Sequence, residues 1–147
     1  MDQYESSLAR VCLELSGIEY FYEDNVPENF MIPSLYFPVP TVYPSASSLG
    51  SYQSGYSIYA NVFAVNKREA GELAEKIVQG IMLKKCRLPV FEENGADSGG
   101  IIKLSPPSFK VIDEGMAQVT LTYNIVRAFT KTGSAKAKSL NINKKYD

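Results

Sequence analysis

The chain of 147 residues contains no histidine and no tryptophan. Without histidine it lacks the usual general base near neutral pH, the common zinc ligand, and the imidazole that activates serine and cysteine nucleophiles. Cysteine is scarce as well. Cys12 and Cys86 are the only two, too few for a disulfide framework, and both read as reduced packing thiols. No run approaches the roughly 18 consecutive apolar residues of a membrane span. The first residues, Met1-Asp2-Gln3-Tyr4-Glu5, lack the basic and apolar regions of a signal peptide, so synthesis in the cytosol is expected. Charge is also missing locally, because no Asp, Glu, Lys or Arg occurs from Met31 to Asn66. Exposed strands normally carry such residues, so part of this neutral surface is expected to lie under a partner.

What is present suits one folded domain. Apolar residues make up 45% and charged residues 21%, the balance of a globular protein rather than a disordered or collagenous one. The length allows a sizeable core without metal or disulfide staples. The net charge of −1 conceals a polarity. Residues 1–30 carry seven acids against Arg10 alone, whereas residues 127–147 carry Arg127 and five lysines against Asp147, giving −6 and +5.

Periodicity divides the chain into elements. Leu8, Val11, Cys12 and Leu15 recur at steps of three and four, which predicts a helix over 4–15 ended by Gly17. Ile18–Tyr22 reads as a strand and Glu23–Asn29 as an acidic loop. Ile32–Val39 contains Pro33 and Pro38, which assigns it to a sheet edge. Pro40–Gln53, rich in Pro, Ser, Gly and Tyr, is expected to be a long hairpin loop or mobile flap. Residues 56–65 alternate with both faces fairly apolar, as in a central strand. Asn66 and Glu69 have capping-box spacing. The helix they start carries an apolar stripe of Ala70, Leu73, Ala74, Ile77, Val78, Ile81 and Met82. Lys84, Lys85 and Arg87 suit the negative end of its dipole.

Leu88–Phe91 reads as a short edge strand and Glu92–Gly100 as a loop. Ile101–Ile112 and Met116–Phe129 flank Asp113-Glu114-Gly115 as a terminal hairpin, with glycine supplying the turn geometry. Its second strand points Ala117, Val119, Leu121, Tyr123 and Ile125 to one face and polar residues to the other. Thr130–Asp147 reads as a flexible basic tail. The expected fold is α+β: one domain over 1–129, a mostly antiparallel sheet of four to five strands, and two helices packed on one face.

Chemistry-bearing groups are few. Lys84, Lys85 and Arg87 could lower the pKa of Cys86, but no base is available to it, and packing is the better reading. The acids Glu92, Glu93 and Asp97, and likewise Glu23, Asp24 and Glu28, lack the alternating register of a calcium loop. Gly99-Gly100 precedes a strand rather than a helix, which argues against a phosphate loop. No catalytic residue, metal ligand or cofactor is expected. The candidate interface residues are Tyr36, Tyr43 and Tyr52 in the uncharged stretch, beside Tyr56 and Tyr59, and Lys131, Lys136 and Lys138 in the tail. Tyrosines among few charges are typical of interface cores, and clustered lysines can meet phosphates or an acidic protein surface.

The order of these elements, the segment Ile32-Pro33-Ser34-Leu35-Tyr36-Phe37, and the strand Tyr56–Val65 running into Asn66-Lys67-Arg68-Glu69-Ala70 before a terminal hairpin together resemble the tail terminator, or tail-to-head joining, proteins of long-tailed bacteriophages. The resemblance covers about residues 4–129 and implies a structural virion protein at the tail–neck junction, assembled in the bacterial host cytoplasm. Such a protein forms a six-fold ring on the last ring of tail tube protein, stops tube growth, and presents the docking surface for the head–tail connector protein. DNA would pass through the lumen without sequence-specific binding, and Lys103 or Lys110 could line it. Another neck or head-completion protein, and a small nucleic-acid-binding module, are the alternatives.

Overall fold

A computed structural model describes residues 1–47 and 49–128. The expected basic tail, Thr130–Asp147, lies outside the described residues.

The two helices form where the apolar stripes place them. Helix α1 spans Gln3–Ser16. The Asp2 carboxylate accepts a 2.8 Å hydrogen bond from the Glu5 amide at its start. At its end Gly17, with φ of 77°, returns its N–H to the Leu13 carbonyl at 2.9 Å. Helix α2 spans Lys67–Leu83. Asn66 Oδ1 accepts from the Glu69 amide at 2.9 Å, and Glu69 Oε1 accepts from the Val65 amide at 2.9 Å. The return bond of this capping box therefore reaches one residue further back than the expected partner, Asn66 itself. Lys84, Lys85 and Arg87 lie beyond the last helical turn, and Lys85 and Cys86 both take left-handed backbone angles.

The strands are β1 (Tyr20–Glu23), β2 (Ser34–Phe37), β3 (Thr41–Ser47), β4 (Ser51–Phe63), β5 (Arg87–Phe91), β6 (Asp97–Lys103), β7 (Ser108–Asp113) and β8 (Met116–Ala128). Six of them form one mixed sheet in the order β1-β2-β4-β8-β7, with β3 on the same edge of β4 as β2; β5 and β6 make a separate ribbon. The class is α+β, as the sequence predicts, but the sheet is wider than four to five strands.

Four local expectations fail for identifiable reasons. Strand β2 is interior, not an edge: Pro33 and Pro38 bracket it, so its own amides remain free to pair with β1 in parallel and β4 in antiparallel. The segment 40–53 is not a loop or flap. It contributes β3 and the first residues of β4, paired from Thr41↔Ser57 to Ser47↔Tyr52. Its serines and tyrosines are compatible with a strand once a long partner supplies the ladder. Residues 97–103 likewise leave the expected loop and terminal hairpin to pair with β5, because Pro106-Pro107 separates them from β7.

Gly115 lies in the β7–β8 turn but not at positive φ. A Cβ there would stand 2.6 Å from the Ala64 carbonyl oxygen, and the Ala64 N–H donates to the Gly115 carbonyl at 2.9 Å. Close backbone approach to the β4–α2 junction, not turn geometry, is what favours glycine at this position.

The core lies between the helices and one face of the sheet. Leu35, Ile58, Val62, Ala117, Val119 and Leu121 are fully buried there with Leu8, Ala74, Ile77 and Ile81 of the helices. Tyr123 stacks on Tyr56 at 5.1 Å between ring centroids, and Tyr4 of α1 sits 6.5 Å from Tyr123. Burial pushes the Tyr123 hydroxyl pKa upward.

Candidate functional site

Strand β4 has one face on the core and one without a helix. Tyr56, Ile58, Ala60 and Val62 pair across to Tyr123, Leu121, Val119 and Ala117 on the helix side. The intervening residues Ser57, Tyr59, Asn61 and Phe63 pair with Thr122, Thr120, Gln118 and Met116 on the opposite side. Ser57 and Thr122 share a 3.1 Å hydrogen bond there. No charged residue occupies this second face on β2, β4 or β8 as far as Asn124, and Lys110 of β7 stands at its margin. A sheet face of this kind, polar by hydroxyl and amide but without charge, has the chemistry of a protein interface rather than of a freely solvated surface.

The tyrosines divide between the two faces. Tyr36 opposes Asn61 and Tyr43 opposes Gly55, which puts both on the helix-free face in a row with Tyr59. Tyr43 lies directly over Gly55, whose missing Cβ makes room for the ring. Tyr52 pairs with Arg127 two positions from Ser54, and strand alternation directs it to the other face. Tyr56 belongs to the core. Of the candidate interface tyrosines, Tyr36 and Tyr43 thus share a surface and Tyr52 does not. Lys131, Lys136 and Lys138 lie outside the described residues.

Tyr36 also anchors the acidic loop, its hydroxyl donating to the Asp24 carbonyl at 3.1 Å, while the Met31 amide donates to Tyr22 Oη at 2.9 Å. Held in this way, the loop lays Phe30 on Phe63 with ring centroids 4.8 Å apart. Phe30, Met31 and Ile32 are all more than a third exposed, so the helix-free face ends in an apolar rim. Sequence reading passes over Phe30 and places Phe63 on the strand face with Ser57, Tyr59 and Asn61 without making it an interface candidate. The parity of β4 carries the signal for Phe63, since it falls in step with Tyr59 and out of step with Ile58 and Val62.

The chemistry-bearing groups are used locally. Cys12 is buried, and burial pushes its thiol pKa up to about 12, so it stays protonated at neutral pH. Cys86 is half-buried and its thiol donates to Met82 Sδ at 3.6 Å. At the start of β6 the Asp97 carboxylate accepts from the Gly99 amide at 2.8 Å. Arg10 donates to the Gly95 carbonyl at 2.9 Å and lies 3.8 Å over the Phe91 ring. Ser7 Oγ accepts from the Phe91 amide and Gln3 donates to the Phe91 carbonyl, so α1 clamps the ribbon. Among the described residues no three acidic or cysteine side chains gather closely enough to hold a metal ion, and no helix is long and apolar enough to cross a membrane. Lys103 and Lys110 are both exposed.

No family model matches the chain. The uncharacterized protein YqbJ of Bacillus subtilis (strain 168) is 30% identical over 114 residues, 78% of each chain. The chain belongs to the YqbJ family. The phage-like element PBSX protein XkdJ of the same organism is 24% identical over 122 residues, 83% of this chain and 84% of XkdJ. Of these two relatives, XkdJ is by name a protein of a phage-like element. The matched spans cover most of each chain, not a single motif.

Proposed function

We propose that the chain is a phage tail terminator: a non-enzymatic structural subunit that forms a ring on the last tube ring, ends tube growth and presents the docking surface for the head–tail connector. The observation that carries this reading is the uncharged, helix-free sheet face with its row of Tyr36, Tyr59 and Tyr43 in a phage-related chain. Such a face is a surface for binding protein. The order helix, strands, helix and terminal hairpin supports the same reading. Its partners are further copies of itself, the tube protein and the connector, with DNA passing through the lumen.

Electron microscopy of particles made when the gene carries an early stop codon tests this reading directly. Overlong tails without heads are expected. Tails of normal length that fail to join heads would move the protein to the connector side of the neck, the second reading. In a ring, the acidic first 30 residues of one subunit can meet the basic end of its neighbour. Replacing Lys136 and Lys138 by glutamate is therefore expected to weaken assembly at low salt.

A further inference from the structure

Strand β7 is the last strand of the main sheet, with β8 on one side and, among the described residues, no strand on the other. Each of its residues, Ser108–Asp113, is exposed, although Phe109, Val111 and Ile112 are apolar. An open edge of this composition is a template for one more strand. Phe109 and Val111 pair with the buried Val119 and Ala117, so both point to the helix side. There Phe109 shares a shallow groove with Lys67, Arg68, Gly71, Glu72 and Glu75 of α2. Val111 lies against Gly71, where a Cβ would stand 3.4 Å from its methyl group. The two bases and two acids of α2 balance, so the groove selects for apolar side chains rather than for charge.

The chain itself contains a segment that matches this edge. Residues 130–138 have no apolar side chain larger than alanine and include Gly133; the alternating run Ser139-Leu140-Asn141-Ile142-Asn143 follows. Leu140 and Ile142 are the only Leu, Ile, Val, Met or Phe in residues 130–147, and their spacing of two is that of one face of a strand. The edge is also within reach. Ala128 lies nine positions past Val119, the partner of Phe109, which is about 30 Å along the sheet, with about 10 Å more across to the open side of β7. The 12 residues from Ala128 to Leu140 extend to about 40 Å. The other open edges are farther off, because β3 lies beyond β4 and β1 is three strands from β8.

A chain that returns from Ala128 along the sheet runs antiparallel to β8 and hence parallel to β7. Setting Leu140 beside Phe109 then places Ile142 beside Val111, both on the helix side, and the uncharged Asn141 beside Lys110. Lys144 and Lys145 follow at the level of Asp113 and Glu114, two acids that make no ion pair among the described residues.

We propose that residues 139–143 add to the open edge of β7 of the same chain as a parallel strand, laying Leu140 and Ile142 in the groove beside α2. The added strand closes this edge to other chains. Lys131, Lys136 and Lys138 stay in the connecting stretch, so the docking leaves them to a neighbouring subunit and does not depend on the proposed function.

Hydrogen–deuterium exchange of the full chain, read residue by residue by NMR, tests the pairing. The outward-pointing amides of β7 should exchange at least about 10-fold more slowly than in the full chain carrying Leu140→Asp and Ile142→Asp, which leaves β7 and α2 unaltered. Equal exchange in the two proteins would overturn the proposal. Disulfide formation in a Cys86→Ser background then tests which edge and which copy. Lys110→Cys with Asn141→Cys should close a disulfide within the monomer, whereas Tyr20→Cys with Asn141→Cys, at the opposite margin, should stay reduced in the same redox buffer. Equal oxidation of the two pairs would overturn the choice of β7. Disulfide-linked dimers in place of monomers would mark exchange of the segment between copies and overturn its assignment to the same chain.

Discussion

Neighbouring residues on β4 meet opposite surroundings. Ile58 and Val62 are fully buried beneath the helices, whereas Tyr59 between them is 41% exposed and Phe63 is covered in part by Phe30. Both faces of the strand are apolar enough to suggest a strand buried on both sides. Only one face meets a helix, because α1 and α2 lie on the same side and the loop around Phe30 reaches only the end of the other. The difference separates two reasons for an apolar side chain. On the core face it stabilises the fold of the single chain; on the open face it stays partly exposed and, in the function proposed above, is what a second protein covers.

Substitutions can break or sharpen that contrast. The largest effect is expected on the core face: Leu121→Ala removes a fully buried side chain and should cost about 3 kcal/mol in urea denaturation. A loss well under 1 kcal/mol would mean that the helices do not seal that face. At the junction between β4 and α2, Asn66→Ala removes the cap on the Glu69 amide and should cost about 1 kcal/mol in the same assay.

On the open face, Tyr59→Lys should change folding stability by no more than about 0.5 kcal/mol. It should nevertheless reduce assembly, measured as the yield of particles with tails of normal length. Equal losses for Tyr59→Lys and Leu121→Ala would erase the distinction between the faces. The smallest test leaves stability untouched. With Ellman's reagent at neutral pH, Cys86 should react in the folded protein and Cys12 only after unfolding. The sign follows from burial, which holds the Cys12 pKa at about 12, so its thiolate is scarce as well as inaccessible.

Legibility from sequence varied with the range of the interaction. Helix α1 ends at Gly17 and α2 starts at Asn66 as predicted, because caps are made by residues within four positions of each other. The alternation of Ala117, Val119, Leu121 and Tyr123 correctly named the buried face of β8. Segment 40–53 was illegible because its strand character depends on β4, and composition there suggests only a loop. Residues 97–103 failed in the same way, since their partner β5 is chosen by the clamp from Gln3, Ser7 and Arg10 far away in sequence. For the candidate interface, the absence of charge from Met31 to Asn66 drew attention to the segment that supplies the helix-free face of β2, β3 and β4. It did not separate Tyr36 and Tyr43 from Tyr52, because facing depends on strand register.

The sequence by itself determined the α+β class, both helices with the Gly17 and Asn66 caps, and the exclusion of histidine-based chemistry, all of which rest on local spacing or on composition. Tertiary structure alone decided that β2 is interior, that β5 and β6 form a ribbon beside α1, and that β1 and β7 close the two ends of the sheet order. Each of these depends on which strand finds which partner, and that choice is made by backbone hydrogen bonds and packing between segments distant in the chain, which no window of sequence contains.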